Sequence, residues 1–431
     1  MNSQPNSGKT AFRPMAMCCA LFFILGFVTW ANGTLIPFLK IACNLETDLQ
    51  AFFVTFASYI AYFFLAIPSS WILKKIGFKN GLVLSLVLLG VGSLIFIPAA
   101  DSRSYILFLT GIFVQGSAMA LLQTAVNPYL SIIGPIDSAA QRISIAGFFN
   151  KSAGIIVPLI FGTLFLKDSA AVTAKLEAAV DMEAKNAILD SLLQRVHTPY
   201  ITLAVIFVLF AIVIKITHLP EVDVNAEEEH TDEHGAIVIK EKKTSVFQFP
   251  HLFLGSLAIF FCVAVEVMAG DIIGVYAREL NIHGALVTYA TTFTLGCMLL
   301  GYIVGIIAIP KFVSQQLALR ICTMVGILFT VISVFTTGIT SFIFVALLGI
   351  ANSLMWPAIF PLGIKGLGRF TKTGSAIMIM GIAGGAIWPL IYGYLKDNLH
   401  VDFQHAFLYA MVPAYLYILY FATKGHRVGQ K

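Results

Sequence analysis

Charge is what this chain has least of. Only 11% of its 431 residues are Asp, Glu, Lys or Arg, where a soluble globular chain carries about 25%. Mean hydropathy is +0.88 and 58% of the residues are hydrophobic. So few charges cannot cover a water-facing surface, so most of the surface faces lipid. The net charge of +5 is a topology signal, and nothing in the sequence supports a nucleic-acid partner. Metal and thiol chemistry are equally thin. All six cysteines (Cys18, Cys19, Cys43, Cys262, Cys297, Cys322) lie in or at the ends of apolar runs, without ligand spacing or a disulfide framework. The nine histidines fall in loops or near the ends of those runs. His230 and His234 are four apart, but their acidic, poorly apolar setting reads as a flexible tether. With no His or Cys constellation at membrane depth, an enzyme is the least expected reading.

What is present in abundance is apolar sequence in pieces of membrane-spanning length, roughly 20 residues each. Twelve runs can be drawn, at 15–39, 50–73, 80–100, 104–133, 141–166, 198–218, 251–277, 285–309, 316–336, 340–364, 373–395 and 404–423. Six lie on either side of a polar stretch. This predicts an all-α membrane protein with twelve transmembrane helices in two pseudo-symmetric six-helix bundles. The bundles comprise residues 1–218 and 250–431, joined by a cytoplasmic linker at 219–249.

The two halves also repeat each other. GSAMALLQTAVNPYLSI (116–132) returns as GIANSLMWPAIFPLGIK (349–365), pairing Ala118 with Ala351, Gln123 with Trp356 and Pro128 with Pro361. AGIIVPLIFG (153–162) returns as GGAIWPLIYG (384–393), and NGTLIP (32–37) aligns with GDIIGV (270–275), which pairs Gly33 with Asp271. A duplicated apolar chain with a site between its halves is the pattern of a secondary transporter.

Orientation follows from Lys and Arg. With an even number of spans, the side shared by the termini receives Lys74, Lys75, Lys79, Arg142, Lys311, Arg320, Lys365, Arg369 and Lys372, among others. The short loops opposite carry little more than Lys40, Arg103, Arg278 and Lys396. Both termini are therefore expected in the cytoplasm of a multi-pass cell inner-membrane protein. The first apolar run is too long for a cleaved signal peptide and reads as a retained helix. The outer connection 167–197 carries Val172, Leu176, Val180, Ala184, Ile188, Leu192 and Val196 at four-residue spacing. It predicts an amphipathic helix that caps the bundle or lies on the membrane.

Polar groups inside a span are costly, about 2.5–3.5 kcal/mol for a charge at mid-helix, so each one calls for a reason. Glu266 and Asp271 lie roughly 21 and 28 Å along the seventh run, and Lys151 roughly 16 Å into the fifth. Gly270 and Gly274 bracket Asp271, so the helix can unwind there and bare carbonyls beside a carboxylate. A coupling cation, H⁺ or Na⁺, uses such a place. Lys151, deep for a snorkelling lysine, either snorkels or pairs with Glu266 as a switch. Gln123, Asn127, Asn150 and Asn352 offer donors and acceptors to a hydroxyl-rich neutral solute, and the Trp356 indole can stack on a sugar ring. Asn32, in the repeated NGTLIP block, joins them as a candidate substrate ligand. Each amide can also be inter-helix glue.

At these residues the chain resembles the major facilitator superfamily, and within it the fucose–galactose–glucose cation symporter family. The matching blocks span nearly the whole chain. They include WANGTLIPFLK (30–40), PSSWILKKIGFKNGL (68–82), LLQTAVNPYLSIIGP (121–135), RISIAGFFNKSAG (142–154), VEVMAGD (265–271) and NSLMWPAIFPLGIKGLG (352–368). The resemblance is greatest to the glucose/galactose branch. Where the fucose-type pattern has a membrane Asp and a Glu, this chain has Gly33 and Gln123. It implies a carrier importing a neutral hexose, glucose or galactose, with Na⁺ or H⁺ by alternating access. No cofactor beyond that cation is expected, and the carrier would act as a monomer in the bilayer. Rival readings are a different sugar (fucose, mannose or an N-acetylhexosamine), a sugar sensor that does not transport, and a metabolite exporter.

Overall fold

A computed structural model describes residues 12–133, 138–166, 168–179, 181–217 and 244–430. Most of the linker 219–249, with His230 and His234, lies outside the described residues. Everything regular in them is helical, because within hydrocarbon each backbone N–H and C=O must be satisfied inside its own segment. Among the described residues, eleven stretches are long and apolar enough to cross a membrane. One of these, Asp48–Asp101, is 54 residues long. Its helix Phe53–Asp101 contains Gly77 at φ 77°, a left-handed conformation that glycine adopts without penalty. It therefore folds as two spans meeting at a kink, which makes twelve.

The spans, numbered in chain order, are as follows. Span 1 is Phe12–Trp30 with Asn32–Ala42, and Phe53–Asp101 holds spans 2 and 3. Span 4 is Tyr105–Ile132, span 5 Ala139–Phe161 and span 6 His197–Ile216. Span 7 is Pro250–Gly270 with Ile273–Glu279, span 8 Ala290–Ala308 and span 9 Gln315–Val334. Span 10 is Gly338–Ser353 with Met355–Ile364, span 11 Thr371–Met380 with Gly384–Asp397, and span 12 Phe403–Thr423. Large apolar side chains such as Phe64, Trp71, Leu209, Val304, Ile307 and Leu328 are exposed on the outside of the assembly, as a lipid-facing surface requires.

The duplication is visible in the packing. Span 1 lies against span 5 as span 7 lies against span 11. Between the halves, span 5 packs on span 8 and span 11 on span 2, the same pairing with the halves exchanged. Both leading spans are interrupted, span 1 at Ala31 and span 7 at Asp271 and Ile272.

The connection before span 6 forms two helices, Ser169–Ala178 and Met182–Gln194, rather than one continuous amphipathic helix. Ala179 is extended, and Asp181 starts the second helix by capping the Ala184 N–H. Its buried face (Leu192, Leu193) rests on the first half. The Arg103 guanidinium clasps it through Asn186 Oδ1 (2.6 Å) and the Asp190 carboxylate.

The halves are also joined by polar contacts at both ends. Opposite the termini, Lys396 Nζ of span 11 lies 2.7 Å from both Asp48 Oδ2 and Glu279 Oε1. Asp48 also holds Lys40, and the Leu49 N–H donates to Asp397 Oδ2 at 3.2 Å. At the terminal end, Gln141 Nε2 donates to the Ile306 carbonyl at 2.9 Å, and Lys372 Nζ sits 5.4 Å from the Phe78 ring centre.

Candidate functional site

Between the halves lies a cavity of about 80 Å³, room for several water-sized molecules. Spans 1, 2, 4 and 5 supply one wall and spans 7, 8, 10 and 11 the other. Polar groups come from Gln123, Asn150, Lys151, Glu266, Tyr59, Tyr62 and Tyr302, and the Trp356 indole joins them. Each is set by its helix. Gln123 donates to the Tyr62 hydroxyl at 3.0 Å, and Trp356 is stacked on Phe360, one turn further along span 10. Asn150 donates to the Phe22 carbonyl at 3.2 Å and accepts from Trp30 Nε1 at 3.2 Å.

Lys151 of span 5 and Glu266 of span 7 form an ion pair across the halves, their side chains 7% and 12% exposed. The ammonium also lies 4.3 Å from the Trp30 ring centre, so the indole face and the carboxylate hold it together. Such a pair in low dielectric is stable only while both partners remain.

Asp271 sits just beyond the cavity in the break of span 7, 3% exposed, and neither carboxylate oxygen has a hydrogen-bond partner. The carbonyls freed by the break are satisfied from span 8, with Thr291 donating to Gly270 O and Thr294 to Ala269 O, each at 2.8 Å. This keeps the interrupted backbone paired and leaves the carboxylate as the unmet group.

The remaining sequence candidates stand apart from the cavity lining. Asn352 is buried, donating to the Val265 carbonyl (3.2 Å) and accepting from the Tyr415 hydroxyl (2.7 Å), which ties span 10 to spans 7 and 12. Asn127 is buried one turn below Gln123 and donates to its backbone carbonyl at 3.1 Å. Asn32 is buried at the break of span 1, its amide nitrogen without a partner. Sequence reasoning missed Tyr59, Tyr62, Tyr302 and Trp30, which read as apolar mass. The available signal was small residues facing them, Gly147 under the Tyr302 ring and Gly154 under Trp30.

Two broken helices facing each other across an inter-half cavity, with intramembrane charges in its wall, are the architecture of a carrier. The Major Facilitator Superfamily model matches residues 18–391. The chain belongs to the Major Facilitator Superfamily. A glucose/galactose transporter of Brucella abortus is 32% identical over 430 residues, covering 99% of this chain and 97% of that protein. The L-fucose-proton symporter of Escherichia coli is 30% identical, covering 89% and 87%. The crystal structure of the E. coli fucose:proton symporter superposes with a TM-score of 0.76 at 27% identity, over 96% of this chain and 98% of that one. The resemblance to the fucose–galactose–glucose cation symporters therefore holds over the whole fold. As a member of this superfamily, with transporters as its relatives, the chain is a membrane transporter and not an enzyme.

Proposed function

We propose that this facilitator imports a neutral hexose, glucose or galactose, together with one cation species, Na⁺ or H⁺, by alternating access about the central cavity. The observation that carries the reading is the cavity wall. Amide groups of Gln123 and Asn150 and the hydroxyls of Tyr62 and Tyr302 offer donors and acceptors for sugar hydroxyls. The Trp356 indole offers a flat face for the ring's apolar side. The names of the relatives, glucose/galactose transporter among them, support the hexose. Gln123 and Gly33, where the fucose-type pattern has acids, favour the glucose/galactose branch over fucose.

Asp271 is the cation group in this proposal. An ionised carboxylate this buried costs several kcal/mol unless a positive partner reaches it, and both its oxygens are open to one. The Lys151–Glu266 pair serves as the switch that senses the loaded state. The Lys and Arg distribution supports an inner-membrane carrier with both termini on the cytoplasmic side. The Asp48–Lys396–Glu279 cluster then closes the outer end of the pathway. The carrier works as a monomer.

The test is uptake of labelled glucose and galactose into proteoliposomes under an inward Na⁺ gradient and, separately, an inward proton gradient. Accumulation under one of them is expected, and its loss in Asp271→Asn with exchange retained. Folded protein that moves neither sugar under either gradient overturns the substrate assignment.

A further inference from the structure

The residue that links the cavity to the cation group is Trp30, a side chain with no place in the proposal so far. It ends the first segment of span 1, is 1% exposed, and touches three functional elements at once. Its Nε1 donates to Asn150 Oδ1 at 3.2 Å, on the cavity side. Its ring face lies 4.3 Å from the Lys151 ammonium. Its ring edge fills the space above two glycines: a Cβ at Gly154 would come within 2.6 Å of the ring, and one at Gly270 within 2.5 Å. Gly270 immediately precedes Asp271 and is the last residue of the first segment of span 7. No other residue type supplies this combination: a flat face for the cation, an N–H for the amide, and a bulk that only glycines accommodate.

We infer that Trp30 is a positioning residue that couples sugar occupancy to the Lys151–Glu266 pair and to the break at Asp271. The inference rests on the transport reading above. Asn150 Oδ1 is the acceptor the indole uses, and it belongs to a residue that lines the cavity. A sugar hydroxyl that takes this acceptor releases the indole N–H. A tilt of the ring then withdraws the face from Lys151 and its edge from Gly270, so one displacement loosens the ion pair and frees the hinge beside the cation group. Without the indole, sugar can still enter and leave, but its arrival no longer reaches the charges.

The experiment compares Trp30→Phe and Trp30→Leu with the wild type in proteoliposomes, with two transport readouts and one stability readout. The first is accumulation of labelled galactose under combined inward Na⁺ and proton gradients. The second is exchange against internal unlabelled galactose with no ion gradient. Trp30→Leu is expected to keep exchange within about threefold of wild type and to lose accumulation tenfold or more. Trp30→Phe, which keeps the face but not the N–H, leaves the Asn150 acceptor free for the sugar and is expected to accumulate galactose with a lowered KM and little change in kcat. Equal loss of exchange and accumulation in both variants, or wild-type accumulation in Trp30→Leu, overturns the inference.

The stability readout is the melting temperature of Trp30→Leu, Lys151→Met and the double variant in detergent, which needs no sugar. Falls that are clearly less than additive support the contact, and additive falls overturn it. Wild-type protein that moves neither galactose nor glucose sinks the hexose reading alone, and the melting cycle still decides whether Trp30 acts on Lys151.

Discussion

The Lys151–Glu266 pair makes the sharpest prediction, because removing either partner strands the other in the same low-dielectric wall. The perturbations are Lys151→Met, Glu266→Gln and the two combined, with both side chains nearly enclosed, at 7% and 12% exposure. A charge stranded there has lost its hydration without compensation, and breaking a buried pair in this way costs about 3–5 kcal/mol. Glu266→Gln should sit at the lower end of that range, because the Trp30 face offsets up to about 2 kcal/mol for the Lys151 left behind. A double neutral replacement is often harmless.

Thermal unfolding of purified protein in detergent reads this directly. Lys151→Met should melt furthest below the wild type and Glu266→Gln less far, and the double should recover most of the loss. If the double falls by the sum of the singles, the pair does not constrain the wall as argued.

Three further outcomes are expected. Asn352→Ala should cost about 1–3 kcal/mol, because the buried Tyr415 hydroxyl loses its acceptor, while the sugar KM stays unchanged. A raised KM would place Asn352 in the sugar site. Gly270→Ala pushes a methyl to within 2.5 Å of the Trp30 ring, and overpacking of this kind costs about 1–3 kcal/mol, read as a lower melting temperature and slower uptake. Asp48→Asn removes the anion shared by Lys40 and Lys396. Spin labels at the exposed positions Glu46 and His400 should then report longer distances between the halves, and an unchanged distribution would mean the cluster does not hold that end closed.

How much of this was readable in the sequence depends on the force involved. The twelve spans were legible because lipid imposes a length and a hydropathy on each one, even where Phe53–Asp101 passes from one span to the next through only a kink at Gly77. The break at Asp271 was legible from its flanking glycines. The matching break at Ala31 was not read, although Gly33 sits beside it. For the site, polarity inside a span announces that a partner is needed but not which partner. Gln123, Asn150, Lys151, Glu266 and Trp356 come together at the cavity, whereas Asn352 binds Tyr415 and Asn127 binds its own helix. Trp30 was invisible because its role depends on Gly154 and Gly270, which are far from it in sequence and meet it only in the folded bundle. The two-helix form of the 167–197 connection was hidden for a different reason, since four-residue spacing records which face is apolar and not where the backbone turns.

The repeat finally bears on stoichiometry. Duplication supplies two equivalent helix breaks, but only the one in span 7 carries an acid. Its counterpart Gly33 faces Thr291, whose Oγ1 would lie 2.6 Å from a Cβ there, and that same hydroxyl donates to Gly270 O. A second carboxylate at Gly33 would displace this contact and expose the freed carbonyl of the other break. It would also set two acids in one low-dielectric region, where they cannot both ionise cheaply. Lys151 and Glu266 cancel each other, so among the described residues Asp271 is the buried carboxylate with neither oxygen bonded. One open acid takes one monovalent cation. The expected stoichiometry is therefore one cation per sugar, measured as the membrane potential at which net flux reverses for known sugar and cation gradients. A reversal potential requiring two cations would mean that the Lys151–Glu266 pair opens to take a second cation within the cycle, and the role of fixed switch partner would have to be given up.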